Sequence, residues 1–172
     1  MVLLGACSAK SNPPSGPVPT SPQHGAPVVA NPRDGSAFAD TPCALLSPSE
    51  VARLGLGTQG RQRTTVDVQE CDWRSESQEL ALYVDPKRDL LADTYRTWRG
   101  VLSPTTVEGM PAARQKSGHG EFNTCTVTTG LGPHQALEAT WFGVGEPGPG
   151  NDACEFAEQA TALVIRKLPP QR

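Results

Sequence analysis

The sequence predicts an α+β domain, an antiparallel sheet of about five strands with helices packed on it, in the order α-β-β-α-β-β-β-α and stapled by two disulfides. Three observations lead there. Short segments with period-two apolar alternation recur between turn signals. Segments with helical spacing carry capping residues at their starts. Four cysteines, Cys43, Cys71, Cys125 and Cys154, are spread singly across the same stretch.

The domain is expected over residues 42–172. Leu46-Ser47-Pro48-Ser49-Glu50-Val51 reads as a helix start. Ser47 is the N-cap, Pro48 takes the first helical position where its missing N–H is harmless, and Glu50 closes a capping box. Leu46 and Val51 form the hydrophobic staple, and Gly55 ends the helix. Thr65 to Trp73 and Glu79 to Val84 follow as strands paired through 74–78. In the second, Leu80, Leu82 and Val84 alternate with polar positions. In the first, Val66 and Val68 lie on one face while Cys71 and Trp73 lie on the other, which predicts a bulge or twist.

A second helix is expected from Pro86 to Arg99, with Leu91, Tyr95 and Trp98 on one side and Gly100 as its stop. Val107 to Arg114 contains Pro111 and reads as an edge or irregular strand. Phe122 to Thr129 sets Cys125 and Val127 against Thr124, Thr126 and Thr128, and Ala136 to Phe142 points Leu137, Ala139 and Trp141 inward, with Gly130–Pro133 as the turn between them. The last helix runs from Ala153 to Lys167. Asp152 caps it, Glu155 completes a second capping box, Phe156, Ala160 and Leu163 form its buried stripe, and Pro169 ends it. With these helices on one side of the sheet, the arrangement is two-layered.

None of the cysteines forms a C-x-x-C pair, so a zinc ribbon or a thioredoxin-like site is not indicated. Four lone cysteines in a small domain suit two disulfides and an oxidising compartment. They admit three pairings. Cys43–Cys71 with Cys125–Cys154 is the favoured one; it closes two loops of about 28 residues, each bond contributing about 3.5 kcal/mol by chain entropy.

The N-terminus carries a separate signal. Leu4-Gly5-Ala6-Cys7 matches a lipobox, an apolar residue and two small ones before a cysteine whose thiol receives a diacylglycerol, with palmitate among the acyl chains. Only Met1-Val2-Leu3-Leu4 precede it as an apolar run, so residues 1–6 are read as the remnant of a signal peptide. Residues 7–41, with prolines at 13, 14, 17, 19, 22, 27 and 32, are read as a Pro/Ser-rich disordered tether that lacks the apolar surface to offset its ordering entropy. Multiple acylation at Cys7 anchors a chain firmly without a spanning helix.

Charge and composition exclude other classes. The 15 basic and 18 acidic residues give a net charge of −3, which argues against nucleic acid as a partner. Neither Gly55-Leu56-Gly57 nor Gly143-Val144-Gly145 is followed by the G-K-[ST] of a phosphate loop, and there is no G-x-S-x-G elbow. His24, His119 and His134 lack metal-ligand spacing; His119 with Glu121 is at most half a site. Glu70 and Asp72 share a strand face near Asp67. A carboxylate pair could serve hydrolysis or hold calcium, but a solvated sheet face is the simpler account. Trp73 is expected to pack on the disulfide of Cys71. Tyr83, out of phase with Leu82 and Val84, is the aromatic to examine if the sheet carries a groove.

Thr41-Pro42-Cys43-Ala44-Leu45-Leu46-Ser47-Pro48-Ser49-Glu50-Val51, Cys71-Asp72-Trp73, Gly109-Met110-Pro111-Ala112, Cys125-Thr126-Val127 and Cys154-Glu155-Phe156-Ala157, in that order, resemble a family of actinobacterial lipoproteins grouped as domain of unknown function number 3558. The resemblance covers roughly residues 42–169. It implies an extracytoplasmic lipoprotein with the same two cysteine pairs and carries over no catalytic residue. The element order also looks like the extracellular sensor domains of some mycobacterial serine/threonine kinases, a fold-level analogy only. The expected function is a non-enzymatic ligand-binding or sensing module of the cell envelope, facing outside the cytoplasm. It would be held to the membrane by lipid on Cys7 and would need no cofactor or metal. Its partner would be a small ligand or an envelope protein. The alternative is an accessory interaction subunit of an envelope complex, with an unrecognised enzyme behind both.

Overall fold

The strands alternate because most of their large apolar residues face one side, and the structure buries that side. The computed structural model describes residues 25–97, 102–118, 122–145, 148 and 150–172. In chain order these form α1 (Pro48–Arg53), β1 (Arg61–Thr65), β2 (Val68–Arg74), β3 (Gln78–Asp85), α2 (Leu90–Thr97), β4 (Leu102–Val107), β5 (Met110–Ser117), β6 (Phe122–Gly132), β7 (Gln135–Val144) and α3 (Ala153–Ile165). The fold is α+β, with one antiparallel sheet of seven strands ordered β1-β2-β3-β7-β6-β5-β4.

The sheet is therefore larger than the five strands expected, and the order gains a strand before each of two expected ones. The predicted irregularity between Val66 and Cys71 is a hairpin, not a bulge. Val66 and Asp67 are the two central turn residues, with φ of 46° and 68°, and Thr65 pairs with Val68 across them. All five residues of β1 are exposed, so no burial pattern marks it in the sequence. At this end of the sheet the edge strand is β4, which contains Pro104, and Pro111 lies one strand in. Pro111 is tolerated because it faces Thr106 of β4 one residue before the β5–β6 ladder begins at Ala112, where no N–H is needed toward β6.

One face of the sheet is the main core. Leu80, Leu82 and Val84 of β3 stand level with Trp141, Ala139 and Leu137 of β7, and Cys125 and Val127 of β6 continue the rows; all are buried. Against this face pack α1, the 3-10 turn Pro42–Leu45, and α3. The start of α1 is as expected: the Ser47 and Glu50 capping box is formed and Leu46 and Val51 are buried. Asp152 caps α3 through the N–H of Cys154 at 2.8 Å, at the second rather than the third helical position. The other face carries α2, with Leu91 and Ala92 packed on Ala113. Helices thus lie on both faces, not one.

The disulfides are Cys43–Cys71 and Cys125–Cys154, each with Cα atoms 5.0 Å apart. Each lies beside a tryptophan of the core face. Trp141 is level with Cys125 and stacks on Phe156 of α3 with ring centroids 4.6 Å apart. Trp73 flanks Cys71, and Gly60 packs against both: a Cβ there would stand 2.6 Å from Cys71 Sγ and 2.7 Å from Trp73 Nε1.

Residues 26–41, assigned above to the disordered tether, pack on the domain instead. Ala26 is buried against Leu91, Ala92 and Ala113. Arg33 N donates to Leu131 O at 2.8 Å, Asp34 N to Pro169 O at 2.9 Å, and Gln171 N to Pro32 O at 2.9 Å. Gly35 sits so close to Val84 and Leu131 that a Cβ would meet them at 3.0 and 3.1 Å. Backbone hydrogen bonds and close approach hold this segment, neither of which composition reveals.

Two stability effects follow. A β-branched residue at positive φ is strained, so replacing Val66-Asp67 by Asn-Gly, the preferred pair for a turn of this hand, should raise unfolding free energy by about 1–2 kcal/mol in urea denaturation. Gly60→Ala should lower it by about 1–3 kcal/mol through overpacking, whereas Gly148→Ala, which meets nothing within 4 Å, should leave it unchanged.

Candidate functional site

The second sheet face is polar where the first is apolar, and cross-strand register organises it into rows. In the first, Arg63 and Glu70 lead to Tyr83, Glu138 and Thr128. In the second, Asp72, Ala81, Thr140 and Thr126 run to Gln115. In the third, Glu79, Phe142 and Thr124 follow Arg74. The rows lie about 7 Å apart along the strands, two residues at about 3.3 Å each. Small side chains, Ala81, Thr140 and Thr126, therefore separate Tyr83 and Glu138 on one side from Phe142 on the other.

α2 closes the upper end of this face. Gln115 Nε2 donates to Thr94 Oγ1 of α2 at 3.3 Å and to Thr128 Oγ1 at 3.1 Å, and Thr128 Oγ1 donates in turn to Glu138 Oε2 at 3.1 Å. Thr126 and Thr140 hydrogen-bond across β6 and β7 at 2.9 Å. Burial pushes the Glu138 carboxyl above the usual carboxylate range, against the hydroxyls of Tyr83 and Thr128, which favour its ionised form; nearby Glu70 adds to the rise. Burial, together with the Glu138 charge, likewise pushes the Tyr83 hydroxyl up. In its acid form the carboxyl donates as well as accepts, as do the hydroxyls around it. The row is thus equipped to exchange hydrogen bonds with a polar ligand.

Glu70 and Asp72, expected on a solvated face, lie under arginines. The Asp72 side chain is 1 % exposed. Arg63 Nε reaches Glu70 Oε1 at 2.5 Å and Asp72 Oδ1 at 2.9 Å, while Arg61 and Arg74 approach Asp72 Oδ2 at 3.3 and 3.5 Å. Three guanidiniums hold the space a cation would need, so the calcium and hydrolysis readings lose their site. The arginines come together only through the β1–β2 register, which the sequence reading missed along with β1.

The remaining residues singled out from sequence divide as follows. Cys43, Cys71, Cys125 and Cys154 are in the disulfides, and Trp73 is in the core. Asp67 is a turn residue and His134 is exposed in the β6–β7 turn. Cys7 and its lipobox, His24, His119 and Glu121 lie outside the described residues. Tyr83 stands on the second face, level with Glu138. Glu138 was missed: flanked by Leu137 and Ala139 it alternates outward like a solvated acid, and nothing in the sequence reports that α2 crosses its face. A cleft of about 550 Å³ opens nearby between the β1–β2 turn and residues 85–88. There the Asp85 carboxylate accepts from the N–H groups of Lys87 and Arg88 and, at 2.6 Å, from Arg88 Nε.

A family model described as protein of unknown function (DUF3558) matches residues 2–167. No curated protein matches the chain, and no solved structure does.

The raised Glu138 pKa has a sign that can be tested. Below the ordinary value of 4.5 the folded and unfolded chains both hold the proton. As pH rises from there to the higher folded value, the unfolded chain releases its proton first and stability falls; above that value the deficit is constant. Glu138→Gln, neutral throughout, should melt with the parent at pH 4 and above it at pH 8. Parallel melting curves across that range would show the carboxyl to be unperturbed.

Proposed function

The chain belongs to the DUF3558 family of proteins of unknown function, and on that footing we propose that it is an actinobacterial membrane-anchored extracytoplasmic lipoprotein whose domain is a non-enzymatic ligand-binding or sensing module of the cell envelope. The observation that carries the binding reading is the asymmetry of the sheet. One face is sealed by helices and two disulfides, while the other presents Tyr83, Glu138, Thr126 and Thr140, with α2 and the segment around Ala26 and Val29 over one end. A few polar groups converging beside aromatic side chains are what fixes a ligand's orientation in a small-molecule site. The anchor reading is supported by the lipobox at Leu4–Cys7 and by two disulfides, which persist in oxidising compartments. No helix of the described residues is long and apolar enough to cross a membrane, and the proposal assigns attachment to lipid on Cys7.

A second reading, an accessory interaction subunit, is favoured by Phe122 and Val144. They are 53 % and 45 % exposed at the end of the same face, where Phe122 meets Phe142 at 5.4 Å. Exposed apolar patches of this kind mark protein contacts.

Expressed in an actinobacterial host behind a complete signal peptide, the chain should partition into the membrane fraction with the added mass of a diacylglycerol, and Cys7→Ser should release it to the soluble fraction. An unacylated parent protein would sink the anchor. Native mass spectrometry of the membrane-extracted protein should reveal a bound small molecule that Glu138→Ala and Thr140→Val lose; the same adduct on both variants would place binding elsewhere.

A further inference from the structure

We propose that the cleft beside the β1 edge binds a phosphate group, independently of whatever the Tyr83–Glu138 row recognises. The cleft measures about 380 Å³ and is lined by Gly57, Thr58, Gln59, Arg61, Asp72 and Arg74. Two guanidiniums converge on it from neighbouring strands. Arg61 and Arg74 keep side-chain exposures of 66 % and 50 % and share only Asp72 Oδ2 between them, at 3.3 and 3.5 Å. Those distances exceed the roughly 2.7–2.9 Å of a tight charge-assisted bond. Asp72 Oδ1 lies 2.9 Å from Arg63 Nε without a hydrogen bond between them, and Glu79 accepts from one nitrogen of Arg74, at 3.0 Å. Asp72, 1 % exposed, floors the cleft, while Arg61 and Arg74 stand out from it at 66 % and 50 %, so the groups best placed to meet a ligand are cationic although the cluster as a whole is balanced.

The opposite wall is fixed in advance. Gly57 N donates to Arg74 O at 2.9 Å, and a Cβ on Gly57 would stand 2.8 Å from that same oxygen. Gly60 is pinned against Cys71 and Trp73 as described. The loop between α1 and β1 is therefore held at two glycines, with Thr58 and Gln59 between them contributing a hydroxyl and an amide. Binding would order little that is not already ordered. Two arginine forks arriving from different strands suit a tetrahedral oxyanion, which offers oxygens out of one plane, better than a planar carboxylate, which one fork satisfies. The phosphate could belong to a soluble ester or to a phospholipid headgroup.

The test is a titration of the ¹⁵N-labelled 172-residue chain with inorganic phosphate at constant ionic strength, chloride replacing phosphate in the control. Saturable shifts are expected at the Nε–H of Arg61 and Arg74 and the amides of residues 57–60. Arg61→Gln and Arg74→Gln should each weaken binding about tenfold, as for loss of one charged hydrogen bond. Arg61→Lys, which keeps charge and packing, should be intermediate, and Arg53→Gln unchanged. Sedimentation with phosphatidylglycerol vesicles separates the sources: pelleting that free phosphate competes away and both glutamine variants lose assigns the headgroup, whereas saturable phosphate binding without pelleting assigns a soluble ester. Shifts no larger than those with chloride, or shifts that survive both substitutions, would overturn the site.

Discussion

The apolar stripe of β3, and the register that continues it through β7 and β6, obliges every other part of the chain to take a side. Leu80, Leu82 and Val84 stand level with Trp141, Ala139 and Leu137, so one face of the sheet must be covered. A chain with only 5 % aromatic residues has little bulk with which to cover it. The solution, among the described residues, is to place Trp73 and Trp141 next to the two disulfides. Each covalent bond then joins a covering element to the sheet where the largest side chains are buried: the Pro42–Leu45 turn at Cys71 and α3 at Cys125. Covalent restraint and apolar burial reinforce each other at the same points, which matters for a domain whose net stability is a small difference between large terms.

The same alternation forces polar residues onto the opposite face, and α2 then removes water from some of them. That is how an acid at an ordinary outward strand position comes to have its ionised form disfavoured, and how threonines come to hydrogen-bond one another across strands. At the β1 end the polar residues are buried in a different way. A carboxylate as enclosed as Asp72 is tolerable only with charged partners, and the hairpin supplies three arginines. The polar face is thus hydrogen-bonded at one end and ion-paired at the other, with small side chains between.

Legibility in the sequence followed burial. β3 and β7 alternate against an apolar layer, and their pattern is plain in the residues. In α3 the expected stripe of Phe156, Ala160 and Leu163 is displaced, with Ala157, Ala160, Thr161 and Val164 buried and Phe156 and Leu163 only partly so, because small side chains let the helix approach the sheet. The capping of α1 is equally plain, because the Ser47–Glu50 reciprocity is local. β1 is invisible by the same logic: Arg61-Gln62-Arg63-Thr64-Thr65 buries nothing, and Val66-Asp67 is not a sequence that advertises a turn. β4 is masked by Pro104, which an edge strand accepts and a pattern reader rejects. The segment over 26–41 has the composition of a linker, yet its order comes from backbone partners contributed by the far end of the chain. Glu138 and the arginine cluster share this difficulty, since their environment is made by register and by a crossing helix rather than by neighbours in sequence.

The pairing of the N-terminal segment with the C-terminal one also has a mechanical meaning. For a domain held from its N-terminal side, tension reaching the described residues would meet Arg33 on Leu131 and Pro32 on Gln171. The load would fall on β6, an interior strand, and on the chain's own tail, rather than peeling away an exposed edge. Were those bonds to yield, the chain would pay out only as far as Cys43, where its bond to Cys71 passes the force to the sheet. The length released from Pro32 to Cys43 is about 40 Å at roughly 3.3–3.6 Å per residue. The seam of backbone hydrogen bonds followed by a covalent stop would act as a strain relief, extensible for a fixed distance and then rigid, between an anchor and the domain it holds.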